Sequence, residues 1–347
     1  MAIYYLFFLI IAILCFFPFK ISKDLKIISN LLIFFVFVLF IGLRDKIGCD
    51  WNTYLEYYKR AANSSFLGII LMPENGFMLI NWISAKLSWG VYGVNVISAA
   101  IFMGGLLYFL NKFRLNLLAL LIAYSYLIAV AATGYTRQSI AIGLLLIAYS
   151  LFIDKKYKLA ILFTLAGVLF HRTAIAGFLV FFLAGRKKNK FTYLVLILIS
   201  ASLVFYYHKY LIHLYRSYVC ARMKSYGAVG RALLNAGAAV ILISLRQKWK
   251  KYYRDFDFWR IFAWISLGAV PFAFYFSTTV DRLLLYFYPL QIVVLSRLPH
   301  MIENKELKGF VYTGVITLYF FTFSIWMLFA VHRYCWVPYH SIFSLWP

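Results

Sequence analysis

The sequence predicts an all-α, polytopic transmembrane helical bundle of about 11 to 12 membrane helices, including a broken, re-entrant pair near residues 158–185. Three observations carry that expectation. Of 347 residues, 64% are apolar and 13% charged, whereas a soluble domain is about half apolar and a quarter charged. Apolar runs of about 20 residues, the length needed to cross a hydrocarbon core, tile almost the whole chain. The Lys and Arg collect in short loops between those runs, as the positive-inside bias requires of cytoplasmic loops. A single integral membrane domain over 1–347 follows.

The first run, MAIYYLFFLIIAILCFFPFK, is apolar from its start, lacks a basic leader and ends without a small-residue cleavage site. It predicts a retained span over 3–19 rather than a signal peptide. Further spans are expected at 27–43, 91–110, 116–133, 135–153, 191–207, 231–246, 259–277, 283–298 and 309–331. The basic loops KISKDLK (20–26), NKFR (111–114), DKKYK (154–158), RKKNK (186–190) and RQKWKKYYR (246–254) are assigned to the cytoplasm. The run at 158–185 has basic loops on both flanks, so one crossing would put one of them on the wrong side. Its interruption, FHRT, divides it into two short helices that dip in and return. That arrangement carries His171 and Arg172 to a turn in the outer half of the membrane and leaves both termini outside. The extracytoplasmic polar segments are then a loop at 44–90, a segment at 208–230 and a tail at 332–347. The first two, with Tyr and Trp beside charges, are expected to be amphipathic and interfacial.

The formal charge of +24 is spread over short loops rather than gathered on one soluble face. It argues against nucleic acid and for topology and anionic membrane lipid as its cause. The four cysteines form no C-x-x-C pair and have no His at ligand spacing, so neither a metal site nor a redox motif is suggested, and a disulfide is left open. Five carboxylates fall outside (Asp45, Asp50, Glu56, Glu74, Asp281) and six inside, where DFD at 255–257 reads as a loop charge cluster. Arg44, Arg137, Arg172 and Arg282 also fall outside. One such Arg alone reads as a snorkelling side chain, with Arg44 pairing to Asp45 and Arg282 to Asp281. Four on the face where positive charge is disfavoured fit an anionic ligand, because a guanidinium fork donates two parallel hydrogen bonds to carboxylate or diphosphate. His171 reads either as a turn residue satisfied by backbone carbonyls or as a proton shuttle near neutral pH. Most aromatics read as packing and lipid belt, with a few free to stack on sugars.

Six segments occur in a familiar order: GLRDKIGCDWNTYLEYY (42–58), PENGFMLI (73–80), YTRQSIAIGLLL (135–146), FHRTAI (170–175), DRLLLYFYP (281–289) and VPYHSI (337–342). Over nearly the whole chain this pattern resembles the EpsG-like, Wzy-type polysaccharide polymerases of bacterial envelopes, which make O-antigen, capsule or exopolysaccharide. The resemblance implies a glycosyltransferase of the bacterial inner membrane. It would join polyprenyl-diphosphate-linked oligosaccharides on the extracytoplasmic face, need no cofactor, and work beside a chain-length regulator. His171, Glu74 and Asp50 become the candidates for accepting the acceptor-hydroxyl proton. Arg44, Tyr54, Arg137, Gln138, Arg172, Arg282 and Tyr339 become the substrate-binding candidates. A lipid-linked oligosaccharide flippase or transporter is the first rival, although the runs at 91–133 and 309–331 hold almost no ionisable groups along a path. A membrane O-antigen ligase or acyltransferase and a purely structural subunit remain alternatives.

Overall fold

The computed structural model describes residues 1–17, 22–113, 117–185 and 225–345. Their regular structure is helical, with one isolated antiparallel bridge between Arg44 and Ser341. They form two compact units, residues 1–175 with 295–347, and residues 176–294.

The first unit holds α1 (Ala2–Cys15), α2 (Lys23–Gly42), α3 (Trp51–Ala62), α4 (Phe66–Ile70), α5 (Asn75–Lys86), α6 (Gly90–Lys112), α7 (Leu117–Ala132), α8 (Thr136–Ile153) and α9 (Tyr157–Phe170). The second holds α10 (Ala176–Ala184), α11 (Ala228–Ser244), α12 (Arg246–Tyr252), α13 (Phe256–Tyr275) and α14 (Ser277–Leu284). Helix α15 (Pro289–Arg297) carries the chain back, and α16 (Lys305–Phe329) belongs to the first unit. Five of these, α2, α6, α8, α13 and α16, are long and apolar enough to cross a membrane, or seven if two bent pairs each count as one span. The eleven expected spans thus correspond mostly to apolar helices, several of them shorter than a full crossing. The span expected at 191–207 and most of the 208–230 segment lie outside the described residues. The span expected at 283–298 starts earlier, at Ser277, and is broken near Tyr288.

Polar residues set the helix starts. Ser22 accepts the Leu25 N–H at 3.3 Å with Asp24 in the first turn of α2, and Asn304 accepts the Leu307 N–H at 2.9 Å with Glu306 in the first turn of α16. Small residues set the closest packing. A Cβ on Gly105 of α6 would stand 2.1 Å from the Gly143 carbonyl oxygen of α8, so the two backbones touch, the close approach that glycine permits between membrane helices. Gly105→Val is accordingly expected to force α6 and α8 apart and to abolish a monodisperse peak in detergent size-exclusion chromatography. An unchanged peak and thermal midpoint would refute that reading of the crossing.

Within the first unit, the two ends of α8 are chemically distinct. At one end Lys112 pairs with Asp154 at 2.5 Å and the Arg297 guanidinium lies 5.4 Å from the Phe113 ring centroid. At the other end stands Arg137, separated by a helix of 18 residues, about 27 Å long. Helix α9 ends where FHRT was expected to break it, with His171 in extended backbone (φ −151°, ψ 119°) followed by a tight 3-10 turn, Arg172–Ile175.

In the second unit α12 turns 77° away from α11. The DFD segment is more than a loop charge cluster: Asp255 is buried and accepts the indole N–H groups of Trp249 (3.2 Å) and Trp259 (2.9 Å), while Asp257 faces Arg260 at 3.5 Å. A carboxylate taken out of water is tolerated because two donors replace its hydration.

Candidate functional site

Three sequence-distant segments meet around Glu74. PENG opens α5, and Glu74 occupies its N-cap position in left-handed backbone (φ 52°, ψ 45°), which is strained for a residue other than glycine. Gly76 permits the approach that follows, since a Cβ there would stand 3.1 Å from the Leu169 carbonyl oxygen in the last turn of α9. Glu74 thereby faces the His171 elbow. One of its carboxylate oxygens accepts a hydrogen bond from Arg137 Nη1, near the start of α8; the other accepts the Arg172 backbone N–H at 3.3 Å and lies 4.0 Å from His171 Nδ1. The Thr173 hydroxyl lies 3.0 Å from that same His171 nitrogen.

Arg137 is held on two further sides. Its guanidinium sits 4.8 Å over the Tyr57 ring and donates to the Tyr57 hydroxyl at 3.2 Å, a cation–π contact supplemented by a hydrogen bond. Its Nε is buried with no partner among the described residues, a donor free to be used. Tyr54, one turn before Tyr57, is buried against Phe77 at 5.7 Å, and Gln138 is buried in α8. Val substituted for Gly76 is expected to push α5 off α9 and lower activity by separating Glu74 from the elbow; activity equal to wild type at matched membrane levels would remove that role.

A second group adjoins the first through Tyr54, which acts electrostatically on both Arg44 and Arg137, and through Thr136, the residue before Arg137. Arg44 is 1% exposed. It donates to the Ile41 carbonyl and, at 2.7 Å, to the Thr136 hydroxyl. Burial lowers its pKa to about 10, opposed by the electrostatics of Tyr54, Tyr339 and Tyr4, so the guanidinium stays charged at neutral pH. Asp45, instead of pairing with Arg44, accepts from the Tyr92 hydroxyl at 2.8 Å.

The C-terminal tail closes over this group. Tyr339 stacks on Phe40 at 4.9 Å and donates to its carbonyl at 2.6 Å; burial raises the phenol to about 12, with Arg44 opposing. Asp45 N–H bonds the His340 carbonyl and Ile342 N–H the Leu43 carbonyl, both at 2.9 Å. A disulfide joins Cys49 to Cys335. Trp336, 1% exposed, donates from Nε1 to the Thr133 hydroxyl at 2.9 Å and the Val130 carbonyl at 3.2 Å. Its seat exists because the end of α7, Tyr124–Ala132, is wound as a π-helix, a winding often found at functional sites, and because Gly134 has no side chain. A Cβ there would fall 2.0 Å from the indole ring.

Of the residues singled out from sequence, Glu74, Arg137, His171 and Arg172 come together, Tyr54 is buried beside them, Gln138 is buried in α8 next to Arg137 in sequence, and Arg44 with Tyr339 forms the adjoining group. Asp50 stands at the start of α3, where its backbone carbonyl accepts the Tyr54 N–H at 3.0 Å and its side chain does not cap the helix. Arg282 belongs to the second unit. There its neighbour Asp281 makes a two-pronged pair with Arg231, at 2.6 and 2.7 Å, and also accepts from the Ser225 hydroxyl at 2.8 Å. Sequence reasoning missed Tyr57, Thr173, Trp336 and Arg231. Only Tyr57 carried a local signal, lying three residues after Tyr54 on one face of a helix. Among the described residues no three His, Cys, Asp or Glu side chains group as a metal ion would require.

A family model described as the EpsG family matches residues 26–341. No curated protein and no solved structure matches the chain.

Proposed function

The chain belongs to the EpsG family of Wzy-like polysaccharide polymerases, and from that premise we propose that it joins polyprenyl-diphosphate-linked oligosaccharides into a surface polysaccharide at the extracytoplasmic face of a bacterial inner membrane. The observation that carries this reading is the convergence of Glu74, Arg137 and the His171–Arg172 elbow at the end of the first unit opposite Lys112 and Asp154. The face is supported by the Cys49–Cys335 disulfide beside the cluster, since disulfides persist in oxidising compartments and not in the cytosol.

In this mechanism a hydroxyl oxygen of the incoming unit attacks the anomeric carbon of the growing chain. The bond from that carbon to the polyprenyl diphosphate breaks, and the diphosphate leaves with the electron pair. Arg137 and Arg172 bind the leaving diphosphate, and the buried Arg44 adds a fixed positive charge behind them. Stabilising charge where it develops is commonly the largest catalytic contribution. His171 accepts the hydroxyl proton at Nε2 in the tautomer whose Nδ1–H donates to the Thr173 hydroxyl, 3.0 Å away. Glu74 orients Arg137 and the elbow rather than acting on the substrate, since both its oxygens are already engaged. The acceptor hydroxyl, the linkage and a chain-length regulator as partner belong to the same proposal.

The test is an envelope polysaccharide ladder from a strain lacking the protein, complemented with wild type or with Arg137→Ala or His171→Ala at matched membrane levels. Single repeat units without the protein, polymer with wild type and none with the variants would support a polymerase. Polymer of normal length without the protein would overturn it. Polymer of normal length left on the lipid carrier would assign a ligase instead, and lipid-linked units retained on the inner leaflet a transporter.

A further inference from the structure

Between Ala61 and Pro73 the chain carries no charged residue, and α4 lies within this stretch. The Ser65 hydroxyl caps α4 by accepting the Gly68 N–H at 3.2 Å. Ile69 packs inward with Ala61 and Met78. Phe66, Leu67, Ile70 and Leu71, at spacing i, i+1, i+4 and i+5, form one broad stripe on the opposite side, 52%, 68%, 45% and 76% exposed. A contiguous apolar stripe of that kind does not persist facing water and marks a contact surface.

Two observations identify what covers it. The α4–α5 turn rests on the last turn of α9 through Gly76 and Leu169. Leu169 is itself half exposed, in line with the exposed Leu162 and Leu165 on the outward face of that apolar helix, so the stripe lies beside the face that α9 shows to lipid. The surroundings of α4 are basic and aromatic. Lys59 and Arg60 are exposed in the last turn of α3, the Trp82 ring lies tilted against Phe66 at 5.6 Å and donates to the Ser64 carbonyl at 3.2 Å, and Lys86 Nζ lies 5.6 Å from the Trp82 ring centroid. Apolar side chains bordered by Trp and Lys are the signature of a segment lying in the head-group layer, where the ring stays half wet and the ammonium reaches phosphate.

We infer that α4 is a membrane-inserted foot, with Phe66, Leu67, Ile70 and Leu71 in the acyl layer of the leaflet nearest Glu74 and Lys59, Arg60 and Lys86 at its phosphates. Glu74 follows Met72 by two residues, so the foot fixes the Glu74–Arg137 pair at head-group depth. The inference concerns lipid contact and does not rest on the glycosyl-transfer reading.

The experiment places a nitroxide at Leu67→Cys or Leu71→Cys in the full chain carrying Cys15→Ser and Cys220→Ser, in nanodiscs containing anionic phospholipid, and compares it with Leu32→Cys on α2 and Glu56→Cys on α3 in the same background. High collisional access to oxygen and low access to a soluble nickel chelate, matching Leu32, is the expected result. Nickel access matching Glu56, or shielding from both relaxers as under a protein partner or second copy, would overturn it. Wild-type chain in nanodiscs containing a phospholipid with a photoactivatable acyl chain gives a check free of substitutions. Cross-links are expected on residues 66–71, and their absence there alongside cross-links on α2 would also overturn the foot.

Discussion

Arg137→Ala is expected to reduce polymer formation by about 100-fold or more, the usual cost of removing one donor to a charged transition state. Arg137→Lys is expected to recover little of it. A lysine keeps the charge but cannot donate a fork to Glu74 and a diphosphate together or lie flat over the Tyr57 ring. The partner behaves differently. Glu74→Gln keeps an acceptor for the Arg172 N–H but leaves the Arg137 charge uncompensated in a site where the two side chains are 24% and 9% exposed. Breaking one side of a fully buried pair costs about 3–5 kcal/mol; this site is less enclosed, so about 2 kcal/mol is expected after screening. The double variant Glu74→Gln with Arg137→Gln is expected to be more stable than Glu74→Gln alone, because the orphan charge is gone, while remaining inactive. Thermal midpoints and polymer ladders of wild type, Glu74→Gln, Arg137→Gln and the double variant at matched membrane levels check both halves. A double variant less stable than both singles would show that the pair is not the unit argued here.

Cys335→Ser is expected to lower the stability of the first unit by about 2–5 kcal/mol, the usual range for a native disulfide. Cys49 and Cys335 are 286 residues apart, so the bond closes most of the chain and strongly restricts the unfolded ensemble. The loss also reaches the site. The tail seated by this bond packs Trp336 into the π-helical end of α7 and Tyr339 over Phe40, around the Arg44 that bonds Thr136, next to Arg137. Activity is therefore expected to fall together with the midpoint. The same midpoint should be reached by wild type under reductant, and reductant should not shift Cys335→Ser further. A wild-type midpoint unchanged by reductant and equal to that of the variant would remove the disulfide from this account.

Much of the fold was legible in the sequence because membrane burial imposes a one-dimensional rule. A run of apolar residues about 20 long has few alternatives to a helix where no water can bond the backbone. The starts of α2 and α16 were written locally, in Ser22 with Asp24 and Asn304 with Glu306, as was the break at FHRT. The broken segment after Ser277 was less visible, since an apolar run does not announce a bend within it.

The site divides along the same line. Glu74, Arg137 and His171 were singled out in the sequence together with several other charges on one expected face, because a lone arginine at the end of an apolar run reads as a snorkelling side chain. Which partner each takes was not readable. Arg44 adjoins Asp45 in sequence yet bonds Thr136, and Asp281 adjoins Arg282 yet pairs with Arg231. Glu74 reaches across 63 residues to Arg137, and Cys49 across 286 to Cys335. Pairing energy depends on distance in space and on the water excluded around the pair, and neither exists until the helices pack. The sequence by itself therefore determined that the chain is a bundle of membrane helices and which few polar groups stand at the ends of its apolar runs. The tertiary structure alone decided that the tail, the first loop and the α9 elbow converge beside Arg137, because contacts between backbones, such as Gly105 on Gly143 and Gly76 on Leu169, set how closely those elements approach.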